Sequence, residues 1–194
     1  MIEADPDYGY PIIEGRRKVL LWSKEAWRDV DRSGHPSLPT GRFVSGVTRT
    51  PLGDVQIIGV CIPWSGAHVS TGRRDRRRWQ DHLAYLSALS AVIPRRIERL
   101  IVIGDYNQKV PRTHAPVAAY SLLREAILNR LTVATGGKIE PLGEAIIDHV
   151  AHSPDLTAHS VWGLSKLVDE GPLLSDHNGV CVTLVRTGGP TESA

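Results

Sequence analysis

Apolar residues in this chain fall into short runs broken by polar turns, with two longer stretches of helical spacing. "RRKVLLWSK" predicts a strand over residues 18–23. "GRFVSGVTRTPLGDVQIIGVCIP" predicts a hairpin, 42–48 and 55–62, about a turn at "TPLGD", because Pro, Gly and Asp punctuate β-rich runs. Trp79, Leu83, Leu86, Leu89 and Ile93 recur at helical spacing, and Pro94 stands near the end of that pattern, so an amphipathic helix is predicted there. Residues 100–104 predict a strand, "APVAAYSLLREAILNRL" a second helix, and "EAIIDHVAHS", "LTAHSVWGL" and "NGVCVTLVR" three more strands. Strands arriving in pairs with two helices between them predict an α/β sandwich rather than a regular βαβ array. A length of 194 residues suits one domain. We place it over 1–186 and read 187–194, "TGGPTESA", as a disordered tail.

Three apolar runs are interrupted by acidic and amide side chains. "IVIGDYNQ" leaves its strand at Asp105 and Asn107, "AIIDHV" sets Asp148 inside a strand, and "LLSDHNGVCV" sets Asp176 and His177 just before one. A carboxylate beside buried residues is costly unless it is paired, hydrogen-bonded or bound to metal. Each feature has a plain alternative: "GD" is a common turn, Asp176 could cap one, and Asp148 with His149 could be a surface pair. Taken together they can build a cation-dependent phosphate site. Carboxylates are hard ligands for Mg²⁺, the metal stabilises charge on a phosphoryl oxygen, and a His oriented by a second carboxylate can move a proton.

Composition narrows the class. Hydrophobic residues make up 41% and charged residues 23%, as in soluble globular chains. No apolar run approaches the ~20 residues that span a bilayer, and "MIEADPDYGY" is not a leader of the basic-then-apolar kind. The expectation is therefore a cytoplasmic protein without a membrane partner. Cys61 and Cys181 sit in strand-like runs and are expected as buried thiols, too few for a cysteine-based zinc site. Net charge is only +2, but "RRDRRRW" (73–79) is densely basic. It reads either as a polyanion contact or as a solvated segment. Arg at a helix start opposes the helix dipole, which favours a loop or a binding role.

The order "GDYNQ", "IDHV", "LSDHNGV" resembles the endonuclease/exonuclease/phosphatase family, which includes deoxyribonuclease I-like and exonuclease III-like enzymes. "VLLWSK", and "GVCIPWSG" followed by the helix with "RRRW", add to the likeness, which covers about Tyr8 to Arg186. The resemblance implies a four-layered α/β sandwich of two packed, mostly antiparallel sheets. It also implies phosphoester hydrolysis with Mg²⁺ or Mn²⁺. Asp105 matches the Asp that positions or activates the attacking water, and Asn107 the Asn that orients nucleophile and phosphate. Asp148 matches the Asp that hydrogen-bonds the catalytic His, His177 that His, and Asp176 a carboxylate at the metal. Trp64, His68, Arg73, Arg74 and Arg77 are the expected substrate contacts. Nucleic acid is the expected substrate, with a small-molecule or lipid phosphodiester or phosphate ester as the alternative.

The chain also departs from that pattern. The family's opening strand with an Asn, and a later strand ending in the metal-ligand Glu, have no counterpart. The chain therefore reads either as N-terminally shortened or as a variant that recruits a ligand elsewhere, such as from a partner chain. Glu3 is the candidate stand-in, although no apolar strand precedes it. Loss of those strands would bare a sheet edge, which a homodimer could cover. The missing Glu also supports a rival reading: a catalytically impaired domain that only binds. Cys61 stands where many members carry a phosphate-contacting His or Tyr.

Overall fold

A computed structural model of the chain describes residues 1–69, 74–95, 97–167, 171 and 173–188. Ten strands are assigned in chain order: β1 (Ile2–Glu3), β2 (Leu20–Leu21), β3 (Trp27–Asp31), β4 (Phe43–Thr50), β5 (Gly53–Cys61), β6 (Leu100–Asp105), β7 (Thr132–Val133), β8 (Asp148–His152), β9 (Leu156–Leu164) and β10 (Gly179–Arg186). Helix α1 (Gln80–Val92) joins β5 to β6. Helix α2 (Val117–Leu123) runs directly into a π-helical segment, Arg124–Leu128.

Six strands form the main sheet, in the order β3-β4-β5-β6-β8-β7. All its pairings are antiparallel except β5 with β6. That one parallel pair is why a helix must intervene, since parallel neighbours need a crossover connection. Strand alternation then sorts the side chains. Ile58, Val60, Leu100, Val102 and Ala151 face α1, α2 and the π segment, and with Tyr85, Leu86, Leu89, Leu123 and Ile127 they make the main core. On the opposite face a smaller cluster gathers Ile2, Ala4, Val19, Val44 and Cys61 beneath the β1–β2 pair. The β9–β10 hairpin is a second, antiparallel sheet, and β10 meets β8. The result is an α/β sandwich in which helices cover one face of a mostly antiparallel sheet.

Several sequence expectations need correction. The strand expected over 18–23 shrinks to Leu20–Leu21. Strand β3 escaped notice because Trp27–Asp31 is a polar edge strand with little buried surface. The basic run is not helical where described: α1 begins at Gln80, Trp79 is left-handed (φ 69°) and Arg74–Arg77 is irregular. Cys61 is buried, but Cys181 is an exposed thiol on the hairpin, which has polar and apolar residues on both faces. Residues 189–194 of the expected tail lie outside the described residues. No described helix is long and apolar enough to cross a membrane.

Candidate active site

Register across the central strands puts the interrupting polar residues in one row. Cys61 of β5 is the partner of Asp105 on β6, and Asp105 is the partner of Asp148 on β8. By alternation all three point away from the helices. Paired residues on neighbouring strands have side chains about 5 Å apart, so the two carboxylates are neighbours by construction. Gly104, just before Asp105, has φ 139°, and a Cβ there would lie 2.0 Å from the Val60 carbonyl oxygen. Only glycine lets β5 and β6 approach so closely at the strand end.

Asp105 is held by the residue that ends the strand. Asn107 is left-handed (φ 50°). Its backbone N–H donates to Asp105 Oδ1 (2.7 Å), and its Nδ2 donates to Asp105 Oδ2 (2.6 Å) and to the Ile62 carbonyl (2.9 Å). The next residue, Gln108, turns inward. Its Nε2 donates to His82 Nε2 (2.7 Å) and to the Ala119 carbonyl, while its carbonyl accepts from His149. His82 Nδ1 in turn donates to the Pro63 carbonyl (2.6 Å). Burial pushes His82 down to about 4 and lowers His149 as well, so both rings serve as neutral ties: His82 between the loops that follow β5 and β6, His149 between Gln108 and Thr135. From the sequence, Asp81-His82 reads as a solvated helix face and Gln108 as a second amide at the strand exit. Instead both His82 and Gln108 are buried, and only that burial reveals the tie.

His177 reaches the row from the loop before β10. Its Nδ1 donates to Asp148 Oδ2 at 2.7 Å. One ligand atom each from Asp105, Asp148 and His177 lies within 4.8 Å of the others. The loop is braced by its own side chains: the His177 N–H donates to Ser175 Oγ, Asn178 Oδ1 accepts the Lys166 N–H, and Asn178 Nδ2 donates to Glu144. Asp176 stands outside the close group. Its side chain is 93% exposed, and its Oδ2 is 4.0 Å from His177 Nε2.

The electrostatics follow from crowding. Burial, then the Asp148 carboxylate, push the Asp105 carboxyl up to about 6, against the pull of the Asn107 N–H, His177 and Arg42. Burial lowers the His177 imidazolium, but Asp148, Asp105 and Asp176 more than offset it, and its pKa is raised.

These groups floor a cleft of about 820 Å³ lined also by Tyr8, Tyr10, Trp64, Arg16, Arg17, Lys18 and Arg42. Trp64 therefore lines the cleft. His68 is not: its ring bonds Asp81 (2.8 Å) and the Gly9 carbonyl (2.9 Å) and stacks on Tyr10, fastening the N-terminal segment to α1. Arg74 and Arg77 are exposed and do not line the cleft, and Arg73 lies outside the described residues. Glu3 does not line it either; its carboxylate pairs with Arg17 at 3.1 Å. No glutamate lines the cleft among the described residues. The cations that do come from "GRRK" (15–18) and the start of the hairpin, where the only sequence signal was a basic run abutting a strand.

No family model and no curated protein matches the sequence. Solved structures do match. An endonuclease/exonuclease/phosphatase from Beutenbergia cavernae DSM 12333 aligns over 86% of this chain and 47% of its own, at 21% identity and TM-score 0.52. A functionally unknown conserved protein from Enterococcus faecalis V583 aligns over 81% of this chain and 61% of its own, at 15% identity and TM-score 0.51. The endonuclease domain of TRAS1, a telomere-specific non-LTR retrotransposon, aligns over 81% of this chain at 19% identity and TM-score 0.45. The chain thus spans about half the length of the first of these. With its mostly antiparallel sheet and one-sided helices, it has the deoxyribonuclease-like α/β sandwich fold of endonuclease/exonuclease/phosphatase proteins.

Proposed function

We propose that this cleft hydrolyses phosphodiesters in a metal-dependent reaction, with nucleic acid as the substrate class. The observation that carries the reading is the convergence of Asp105, Asp148 and His177, within 4.8 Å, on the floor of a cleft rimmed by cations. The donor set fits a divalent cation. Burial, and then the adjacent Asp148 carboxylate, raise Asp105, and a doubly charged ion would offset both effects while taking oxygen ligands. Asp105 and Asp148 would hold it, with Asp176 the next carboxylate along. When bound, such an ion supplies Lewis-acid stabilisation of charge on a phosphoryl oxygen.

The chain's own residues do the rest in this reading. Asp105, fixed by the two Asn107 donors, orients the attacking water and accepts its proton. Asp148 fixes the His177 ring by its Nδ1–H, which turns Nε2 toward the cleft. Protonated His177, favoured by its raised pKa, donates to the phosphoryl or leaving-group oxygen. Arg16, Arg17 and Lys18 neutralise neighbouring phosphates, and Trp64 offers a face to a base.

A second reading, a domain that binds without turnover, draws on the lack of any glutamate among the described cleft residues. The experiment is hydrolysis of bis-p-nitrophenyl phosphate and of plasmid DNA with Mg²⁺ or Mn²⁺, with and without EDTA. Turnover that EDTA abolishes, and that falls by about 10²-fold or more in Asp105→Ala and in His177→Ala, is the expected result. Folded protein that binds DNA but shows no metal-dependent turnover would leave the binding reading standing and the hydrolase reading refuted.

A further inference from the structure

One cation in the cleft is unlike the others. Arg42, the residue just before β4, is only 3% exposed and lines the cleft. Its Nη1 donates to the Cys61 carbonyl at 3.3 Å and approaches the Cys61 thiol at 3.6 Å. Both are long contacts to uncharged groups, and no described carboxylate lies within ion-pair distance. Arg16, Arg17 and Lys18 are differently placed. Arg17 is paired with Glu3, and Arg16 and Lys18 lie over the Tyr8 ring at 6.0 and 5.3 Å.

A guanidinium taken out of water without a counter-charge is costly, and a buried charge normally has a partner. Here the open side of the charge is the cleft itself. The floor is bipolar. Arg42 and Lys18 flank the Cys61 thiol closely enough for both charges to be felt there, and the Asp105–Asp148 pair lies further along the same row. A tetrahedral anion placed over Cys61 would meet cations on one side and the acid–imidazole group on the other. Guanidinium forks match phosphoryl oxygens in geometry as well as charge.

From this we infer that Arg42 is the anion anchor of the cleft, a substrate-binding residue whose counter-charge is a phosphoryl group of the ligand. The inference rests on the phosphoester reading for the identity of the anion, but its test does not require turnover. The probe is inorganic phosphate, titrated against metal-free protein in EDTA at constant ionic strength and read by thermal melting. In wild type, phosphate raises the melting temperature saturably, and equal chloride does not. Arg42→Met loses that response, while its phosphate-free melting temperature equals or exceeds wild type, because an uncompensated charge has been removed. Arg42→Lys keeps a weakened response and covers the case in which Arg42→Met does not fold. With bis-p-nitrophenyl phosphate, the same substitutions raise KM by tenfold or more. A wild type indifferent to phosphate, or an undiminished response in the variants, overturns the inference. Phosphate binding through Arg42 in protein that never turns over refutes the hydrolase reading alone. Turnover with phosphate binding that ignores Arg42 refutes this inference alone.

Discussion

Asp105 answers two opposing demands. It is buried enough to sit against Asp148, and in the proposed reaction it must also be ionised enough to accept a proton. The structure meets both by giving each of its oxygens a donor from Asn107. Even so, the carboxyl rises to about 6, against roughly 3.9 in an unfolded chain. A raised carboxyl means that the folded state holds a proton the unfolded state has lost, so stability falls as pH rises across that window. His177 acts in the same direction: its raised imidazolium contributes stability below about 6.5 that is lost as pH climbs through the folded value. Metal-free protein should therefore melt lower at pH 7.5 than at pH 4.5, with the site contributing on the order of 2 kcal/mol, or about 4–8 °C. Melting curves of wild type and Asp105→Ala isolate this part. If the difference between the two proteins is flat from pH 4 to 7, the carboxyl is not raised as described.

At the scale of elements, the row depends on how β5, β6 and β8 are held together rather than on any one side chain. Gly104 is the point of closest approach, and a methyl group there meets the Val60 carbonyl backbone, which cannot rotate aside. Gly104→Ala should cost about 3 kcal/mol or more, from strain in the backbone and a steric clash together. Urea denaturation would register it, and a loss under about 1 kcal/mol would mean that β5 and β6 can part without penalty. Behind the row, the chain from Pro63 through His82 and Gln108 to His149 ties the two loops that carry Trp64 and Asn107. Strand-to-loop exits ending in "GDYNQ" are thus of mixed purpose. Asp105 and Asn107 face the cleft, and Gln108 faces the core, where its Oε1 is buried without a partner.

Over the whole molecule, net charge is small, but the cleft concentrates Arg16, Arg17, Lys18 and Arg42 around the acidic row. In the proposed reading, a polyanion bound there would release counterions, so its affinity would fall with salt in proportion to the phosphates neutralised. Single-stranded DNA binding, measured by fluorescence anisotropy between about 50 and 200 mM salt, should weaken steeply. The slope of log affinity against log salt should become shallower by roughly 1 in Arg16→Ala or Lys18→Ala. Removal of Arg74 and Arg77, which are exposed outside the cleft, should change it less. Equal effects from the two sets would place the polyanion on the loop before α1 instead.

What the sequence determined by itself was whatever depends on local pattern. Strands and helices came from the period of apolar residues, so β4, β5, β6, β8, β9, β10, α1 and α2 with its π-helical continuation were legible. Asp105, Asn107, Asp148 and His177 stood out because each breaks an apolar run. Strand β2 was legible but drawn too long, whereas edge strand β3 and the two-residue strands β1 and β7 were not legible, since exposed or very short segments carry little periodic signal. The cleft cations were missed for a different reason. Basic residues are ordinary on any surface, and only the fold decides which of them meet a pocket. Tertiary packing set Arg42 and the "GRRK" segment at the cleft and left Arg74 and Arg77 outside it, sent His68 and Gln108 to structural ties, and paired Glu3 with Arg17. Local pattern tells which residues are out of place along the chain; long-range contact decides which of those come together.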